Sequence, residues 1–120
     1  MLVRKFLFSN GFRYRLHDKK LPGKPDIVLR KYGVVIFVNG CFWHGHEGCK
    51  GFVIPGTKTE WWKAKIAKTA ANDHRHFEAL TKMGWLVLVV WECELKKEFR
   101  GSTLMRLMDR LICQREPLLN

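Results

Sequence analysis

The sequence is poor in acidic residues and contains no long apolar run. Among its 120 residues, 11 Asp and Glu stand against 22 Lys and Arg, which gives a formal net charge of +11. No apolar stretch reaches the ~20 residues that a membrane-spanning helix requires. The first residues are interrupted by Arg4 and Lys5 and are too short for a signal peptide. We therefore expect a cytoplasmic protein with no membrane partner, whose partner is a polyanion, most simply nucleic acid.

The sequence contains four cysteines, and their positions favour a metal site. Hydrophobic residues make up 47% of the sequence, which excludes intrinsic disorder, and the length predicts a single domain over residues 1–120. In a reducing compartment, four cysteines are better explained as metal ligands or buried thiols than as disulfides. A metal would also help to stabilise a domain of this size. For Cys113, which lies apart from the others, we expect a buried thiol.

The periodicity of the apolar residues predicts an α/β domain. Two all-apolar runs, Val34–Val38 and Leu86–Trp91, have the composition of strands that are covered on both faces. A long helix between them predicts a parallel pair joined by a right-handed crossover. The long helix is predicted to begin at a capping box formed by Thr57 and Glu60 and to end at Met83. The other predicted elements are a helix up to Gly11, strands at 12–17 and 26–29, a loop at 39–59, and a last helix containing Leu104–Leu111.

The loop after the first apolar run contains the densest chemistry of the chain. Cys41, His46 and Cys49 follow a Cys-x₄-His-x₂-Cys spacing, which can supply three of the four ligands of a tetrahedral Zn²⁺. Cys93 is the candidate for the fourth ligand, because neighbouring parallel strands end at the same edge of a sheet. His44 is then free to act as an acid or a base, although the spacing alone also permits His44 as ligand and His46 as the free base. The alternative is that the cysteines are ordinary buried thiols and His46 a surface residue.

These motifs resemble those of the very short patch repair (Vsr) endonucleases, a branch of the restriction-endonuclease-like PD-(D/E)xK superfamily. The matching segments are Leu21–Asp26, Val35–His44, Thr59–Trp62 and Gly84–Cys93. The resemblance implies a single Vsr-like endonuclease domain, built on a restriction-endonuclease-like mixed β-sheet flanked by helices. It also implies a structural zinc site whose ligands are Cys41, His46, Cys49 and Cys93.

The resemblance further implies a Mg²⁺-dependent endonuclease. Such an enzyme nicks one DNA strand at a T:G mismatch, the lesion left when 5-methylcytosine deaminates. Asp26 matches the carboxylate that holds Mg²⁺, and Val38 sits where the family offers a backbone carbonyl to the metal. His44 matches the general base. The implied partner is double-stranded DNA with a T:G mismatch, bound by a monomer in a bacterial-type cytoplasm, at the nucleoid.

The aromatic side chains of Phe42, Trp43 and Trp62 match those that the family wedges into the base stack. Unstacking is least costly at a mismatch, so such a wedge gives selectivity without reading every base. The alternative is core packing, which we expect for one of Trp61 and Trp62, because adjacent helix residues point about 100° apart. Each individual lysine is better explained as a solvated surface charge than as a phosphate contact. Only the excess of basic over acidic residues indicates a nucleic-acid partner.

Three features depart from the family pattern. The first-helix glutamate of the family falls immediately before Met1, and the N-terminal segment that helps the family grip DNA is missing from the sequence. Asn39 stands where the best-known members have an auxiliary catalytic histidine; it can hydrogen-bond a phosphate but cannot carry a proton. Gly48 is an extra residue in the zinc loop.

Two alternative hypotheses are a Vsr-like nuclease of a mobile element or restriction system, and a zinc-stapled DNA-binding module with impaired catalysis.

Overall fold

In the computed structural model, which describes residues 2–115, helices cover both faces of a four-stranded mixed sheet. The predicted fold class is therefore confirmed. Short 3₁₀ turns follow the second and fourth strands. The elements in chain order are α1 (Leu2–Ser9), β1 (Arg15–Leu16), β2 (Ile27–Leu29), β3 (Val34–Asn39), α2 (Thr59–Lys82), β4 (Leu86–Trp91) and α3 (Arg100–Arg115).

The sheet has the strand order β1-β2-β3-β4, and only its last pair is parallel. β1 and β2 are antiparallel, as are β2 and β3, whereas β3 and β4 run parallel with Val34 opposite Leu86 and Asn39 opposite Trp91. This confirms the predicted parallel pair. Because β2 runs in the opposite direction to β3, the start of β2 lies at the edge where β3 and β4 end. We call this end of the sheet, which lies at the carboxyl ends of β3 and β4, the functional edge.

Each face of the sheet packs against its own helices, because the side chains of a strand alternate between faces. Ile36 and Leu88 pack with Leu7 of α1 and Leu111 of α3 in one cluster. On the other face, Val35 packs with Leu80 of α2 in a second cluster. β3 is thus covered on both sides, as its uninterrupted apolar sequence predicts, and it holds the functional edge in a fixed position.

The structure confirms the predicted end of α1 but not the predicted start of α2. α1 ends before Gly11, whose φ of +83° is the left-handed conformation predicted for a helix stop. The predicted Thr57–Glu60 capping box is wrong: α2 begins at Thr59, after Lys58 in a left-handed conformation, and has no side-chain cap. The hydroxyl of Thr59 instead donates to backbone carbonyls of the preceding loop. Within residues 2–115, no helix combines the length and the apolar character needed to cross a membrane.

β1 is shorter than the strand predicted at 12–17. Only Arg15 and Leu16 pair with β2, and both are exposed. Phe12 is 5% exposed and packs in the cluster formed with α1 and α3. Tyr14 is half-buried against the same cluster, so the alternating pattern reflects aromatic packing before the strand rather than a longer ladder.

Two neighbouring residues of α3 test how the core contributes to stability. Leu111 is fully buried, whereas Ile112 is 45% exposed. We expect Leu111→Ala to lower the free energy of unfolding by about 2–5 kcal/mol, because it leaves a cavity in the core. The matched control Ile112→Ala should change it by less than about 0.5 kcal/mol. Urea denaturation measures both, and equal losses would contradict this packing of α3.

Candidate active site and metal centre

Cys41, His46, Cys49 and Cys93 come together at the functional edge. One ligand atom from each residue lies within 4.8 Å of all the others. Cys41 follows the end of β3 and Cys93 follows the end of β4, so the parallel pairing of these strands brings the two cysteines together. The backbone N–H of Cys93 points at the sulfur of Cys41, at 3.4 Å. These are the four residues that the resemblance implied as metal ligands.

Backbone hydrogen bonds fold the loop around this cluster. The N–H of His46 donates to the carbonyl of Cys41 at 2.9 Å, and the N–H of Cys49 donates to the carbonyl of His46 at 3.3 Å. The extra Gly48 has a φ of +77°, and a Cβ there would meet no atom within 4 Å. Its conformation, which glycine adopts readily, lets the loop accommodate the insertion without a clash.

The ring of His46 is held by a neighbouring tryptophan. His46 stacks on Trp91, with ring centroids 4.0 Å apart and an angle of 4° between the planes. Its Nδ1 lies 3.5 Å from the sulfur of Cys93. Trp91 is the last residue of a strand predicted to be covered on both faces, but it is half-buried and orients a member of the cluster.

The electrostatics of the cluster suit a cation. The backbone N–H of Gly51, 3.3 Å from the sulfur of Cys49, lowers the pKa of that thiol to about 7. Burial, together with the neighbouring thiols of Cys41 and Cys49, raises the pKa of Cys93 to about 12. The negative charge of the neighbouring thiolates thus opposes ionisation of Cys93, and a cation among the sulfurs would remove that opposition.

The geometry also suits a metal ion. Tetrahedral coordination with metal–sulfur distances of about 2.3 Å places sulfur ligands about 3.8 Å apart, so the four ligand atoms would have to close by only about 1 Å. Three thiols and one imidazole are a donor set that binds zinc. The cluster can therefore hold a metal ion. Cys113 lies outside it and is exposed, so the expectation of a buried thiol there is wrong.

Asp26 lies at the start of β2, at the functional edge. Its Oδ2 accepts a hydrogen bond from the backbone N–H of Val38 at 2.7 Å, and its Oδ1 lies 3.7 Å from Nδ1 of His17. The side chain is 36% exposed and lines a cavity of about 190 Å³ with His17, Val38 and residues of α1. Asp26 is the single carboxylate among the described residues that line this cavity. Its two oxygens therefore face the backbone N–H of Val38 and the imidazole of His17.

The turn that leads into Asp26 is packed tightly against α2. Gly23 has a φ of +76°, and a Cβ at this position would lie 2.9 Å from the Cβ of His76. A larger residue would therefore be strained in its backbone and would collide with the helix. Contact between this turn and α2 fixes the approach of the chain to Asp26.

His44 is paired with a carboxylate that no sequence motif singled out. Its Nδ1 lies 2.6 Å from Oδ2 of Asp73 on α2, and the two side chains are 27% and 23% exposed. Asp73 comes eleven residues after Trp62 on the same helix. Eleven residues are close to three helical turns, so both side chains project from one face of α2. This spacing is the signal that could have identified Asp73.

The structure thus separates the candidate residues into neighbouring groups. His44 lies outside the Cys/His cluster, and His46 lies within it. Asp26 and Val38 share one cavity, which His44 does not line. Asn39, the last residue of β3, is 4% exposed and lies between these groups along the chain.

Phe42, Trp43 and Trp62 form a cluster of aromatic rings. The ring centroids are 5.3 Å apart for Phe42–Trp43 and for Phe42–Trp62, and 5.5 Å apart for Trp43–Trp62. Trp43 is 50% exposed. The expectation that Trp61 or Trp62 packs in the core is wrong, because Trp61 is 54% exposed and Trp62 is half-buried against other rings.

The domain is thus an α/β domain with a carboxylate, a His–Asp pair and a Cys/His cluster that could hold a metal ion at one edge of a mixed sheet. Comparison with known proteins places the domain more closely. Residues 1–50 match the sequence model of the family described as DNA mismatch endonuclease Vsr. The chain belongs to this family, because curated relatives match it with high identity over most of their length.

Three of these relatives illustrate the similarity. The type II nicking enzyme V.NmeAIP of Neisseria meningitidis serogroup A is 54% identical over 98 residues, which cover 82% of this chain and 69% of that protein. The type II nicking enzyme V.XorIIP of Xanthomonas oryzae pv. oryzae is 50% identical, covering 78% and 68%. The DNA mismatch endonuclease Vsr of Escherichia coli K12 is 41% identical, covering 92% and 72%.

The geometry of the Cys/His cluster predicts one bound metal ion per chain. We expect the purified protein to contain about one tightly bound ion per chain, because four ligands are satisfied together. Cys93→Ser should lose the ion and lower the melting temperature, since the site joins two separate segments of the chain. The control Cys113→Ser should change neither. Elemental analysis and thermal denaturation measure both properties, and a full metal content in Cys93→Ser would remove Cys93 from the site.

Proposed function

We propose that this protein nicks one strand of DNA at T:G mismatches that arise from deamination of 5-methylcytosine. The single observation that carries the proposal is the pairing of His44 with Asp73 at the edge of the sheet where Asp26 precedes β2. Membership of the Vsr family and a net charge of +11 support a DNA substrate.

Asp26 and the backbone carbonyl of Val38 are the groups that we assign to a Mg²⁺ ion. The Val38 N–H donates to one carboxylate oxygen at 2.7 Å, so the side chain of Asp26 lies next to the backbone of Val38. Hard oxygen ligands suit Mg²⁺, which keeps several waters and needs few protein ligands. When bound, the ion supplies positive charge that neutralises the phosphate and the leaving oxygen.

His44 is the general base in this proposal, and Asp73 is its positioning residue. An ionised carboxylate only accepts hydrogen bonds, so the contact at 2.6 Å requires Nδ1 of His44 to carry the proton. The other ring nitrogen, Nε2, is then left as an acceptor. It takes a proton from the attacking water, and the carboxylate of Asp73 stabilises the positive charge that develops on the ring. Asn39 assists as a neutral hydrogen-bond donor to the phosphate.

The aromatic cluster supplies selectivity. Phe42, Trp43 and Trp62 already contact one another and expose the indole of Trp43, so they form a ready wedge. Opening the base stack costs a few kcal/mol, and less at a mismatch than at a paired step. The wedge therefore favours a weakened T:G pair over an intact T:A pair.

We assign zinc to the Cys/His cluster, in a structural role. Its ligands Cys41, His46, Cys49 and Cys93 use all four tetrahedral positions, which leaves none open for a substrate. The segment between Cys41 and His46 contains Phe42, Trp43 and His44. Closing this segment onto β4 through Cys93 holds the wedge and the base in place.

A second candidate function is nicking as part of a restriction system. The relatives that are 54% and 50% identical both carry the name type II nicking enzyme. This role uses the same chemistry and differs in the genetic system that the enzyme serves and in its recognition sequence. Comparing the cleavage of mismatched and paired duplexes of the same sequence shows whether the enzyme prefers a mismatch. This preference distinguishes the two candidate functions, which share their chemistry.

The proposal predicts Mg²⁺-dependent nicking of a T:G duplex in preference to the matching T:A duplex. Asp26→Asn should slow nicking by about 100-fold or more, because the amide keeps the shape of the side chain but loses the charge. Asp109→Asn on α3 is the matched control and should nick at the wild-type rate. Denaturing gel electrophoresis of end-labelled duplexes measures the product. Equal nicking of both duplexes would reject mismatch specificity, and an active Asp26→Asn would reject the metal assignment.

The His44–Asp73 pair predicts a separate loss of activity. We expect Asp73→Asn to lower the single-turnover nicking rate by about 10- to 100-fold, because the ring of His44 loses the partner that orients it. DNA affinity and melting temperature should stay close to those of the wild type, since the side chain keeps its size. His44→Ala should remove activity, and adding Asp73→Asn to it should cause no further loss. Additive losses would show that the two residues act independently.

A further inference from the structure

Trp61 is a large exposed aromatic residue that the proposed wedge does not use. It lies in the first turn of α2 and is 54% exposed, with its ring edge-on to Trp62 at 4.8 Å. The exposed indole extends the aromatic cluster away from the wedge. Burying such a ring against a partner is favourable, so an exposed tryptophan beside a candidate DNA site indicates a further contact.

Lysines flank Trp61 along one face of the helix. Lys65 places its Nζ 5.7 Å from the centroid of the Trp61 ring, a cation–π contact. Lys58, immediately before α2, lines an open cleft of about 430 Å³ with Trp61 and Trp62. Lys68 is exposed on the next turn. At 100° per residue, positions 61, 65 and 68 fall within about 60° of arc. We call Lys58, Trp61, Lys65 and Lys68 the basic strip.

The acidic residue of this turn points elsewhere. Glu60 lies about 100° around the helix from Trp61, and it pairs with Lys63 at 3.8 Å. The basic strip therefore carries three positive charges and no carboxylate. From Lys58 to Lys68 it runs for about 15 Å, which is comparable with the rise of about four base pairs of duplex DNA.

We propose that the basic strip binds the sugar–phosphate backbone of the DNA that flanks the mismatch. Trp61 packs against a deoxyribose, and Lys58, Lys65 and Lys68 contact phosphates on either side. The charge of the strip and its position beside the aromatic cluster favour DNA over an apolar protein partner. This inference rests on the proposed function and adds an interaction that is independent of base sequence.

Measurements of DNA affinity at several salt concentrations test the strip. Removing one lysine that neutralises a phosphate should reduce the slope of log K against log salt by about 0.9. Lys58→Ala/Lys68→Ala should therefore reduce the slope by about 1.8. The matched control is Lys31→Ala/Lys82→Ala, which removes the same charge from exposed lysines at the opposite edge of the sheet. It should leave the slope within about 0.5 of the wild type. Equal slopes for the two double variants would overturn the proposal.

Trp61 is tested by comparing two duplexes. Trp61→Ala should weaken binding to the T:G and the T:A duplex by the same factor, about tenfold, because the backbone is common to both. Trp61→Phe should restore much of the affinity. Unchanged affinity in Trp61→Ala would overturn the proposed packing on deoxyribose and would leave a protein partner as the occupant. A weakening confined to the T:G duplex would place Trp61 in the wedge and would also overturn it.

Failure of this inference and failure of the proposed function give different results. If the wild-type protein binds DNA but nicks neither duplex with Mg²⁺, the proposed function fails while the strip can still be measured. If the wild type nicks the T:G duplex and the strip variants bind as it does, the strip fails and the proposed function stands. Melting temperatures within about 2 °C of the wild type establish that the exposed substitutions leave the fold intact.

Discussion

The parallel pairing of β3 with β4 is the interaction on which the site depends. Six residues of each strand are in register, from Val34 opposite Leu86 to Asn39 opposite Trp91. Because the strands end together, the chain leaves both of them at the same edge. Cys41 and Cys93, far apart in sequence, are thereby brought within reach of one ion. The register also sets Trp91 beneath His46, so one ladder positions both the ligands and the ring that supports them.

Helix α2 gives the site its second support. Trp62, Ile66, Asp73 and Leu80 follow helical spacing and project from one face. Ile66 and Leu80 are buried, at 5% and 0% exposure. Their packing fixes the rotation of the helix about its axis. Asp73 is consequently held facing His44, and Trp62 is held facing Phe42. The same packing that stabilises the domain therefore orients two groups of the proposed chemistry.

The sequence predicted those features that short patterns determine. Uninterrupted apolar runs identified β3 and β4, since strands covered on both faces need no polar positions. The spacing of Cys41, His46 and Cys49 pointed to a metal site, and the predicted parallel strands added Cys93 from a distant segment; the resemblance chose His46 over His44. The candidate DNA wedge was chosen by resemblance alone, and its role remains a prediction.

Other features depend on tertiary contacts between segments that are distant in sequence. The pairing of His44 with Asp73 joins residues 29 positions apart, through the way in which the loop packs on α2. The failed Thr57–Glu60 cap has a local cause instead: the loop carbonyls of Pro55 and Gly56 accept the hydroxyl of Thr59. Cys113 was expected inside because cysteines commonly are, but its position on α3 points away from the stripe that Leu107 and Leu111 form.

The close approach of Gly23 to His76 has an evolutionary consequence. Two separate conditions act on residue 23: the left-handed backbone excludes most side chains, and the Cβ of His76 would lie only 2.9 Å from any Cβ placed there. Only glycine at position 76 would remove the closest contact, because every other residue carries the same Cβ, and the conformational condition would still remain. Substitutions at position 76 should thus be tolerated while glycine is kept at position 23. The two positions should therefore evolve at different rates although their residues are in contact.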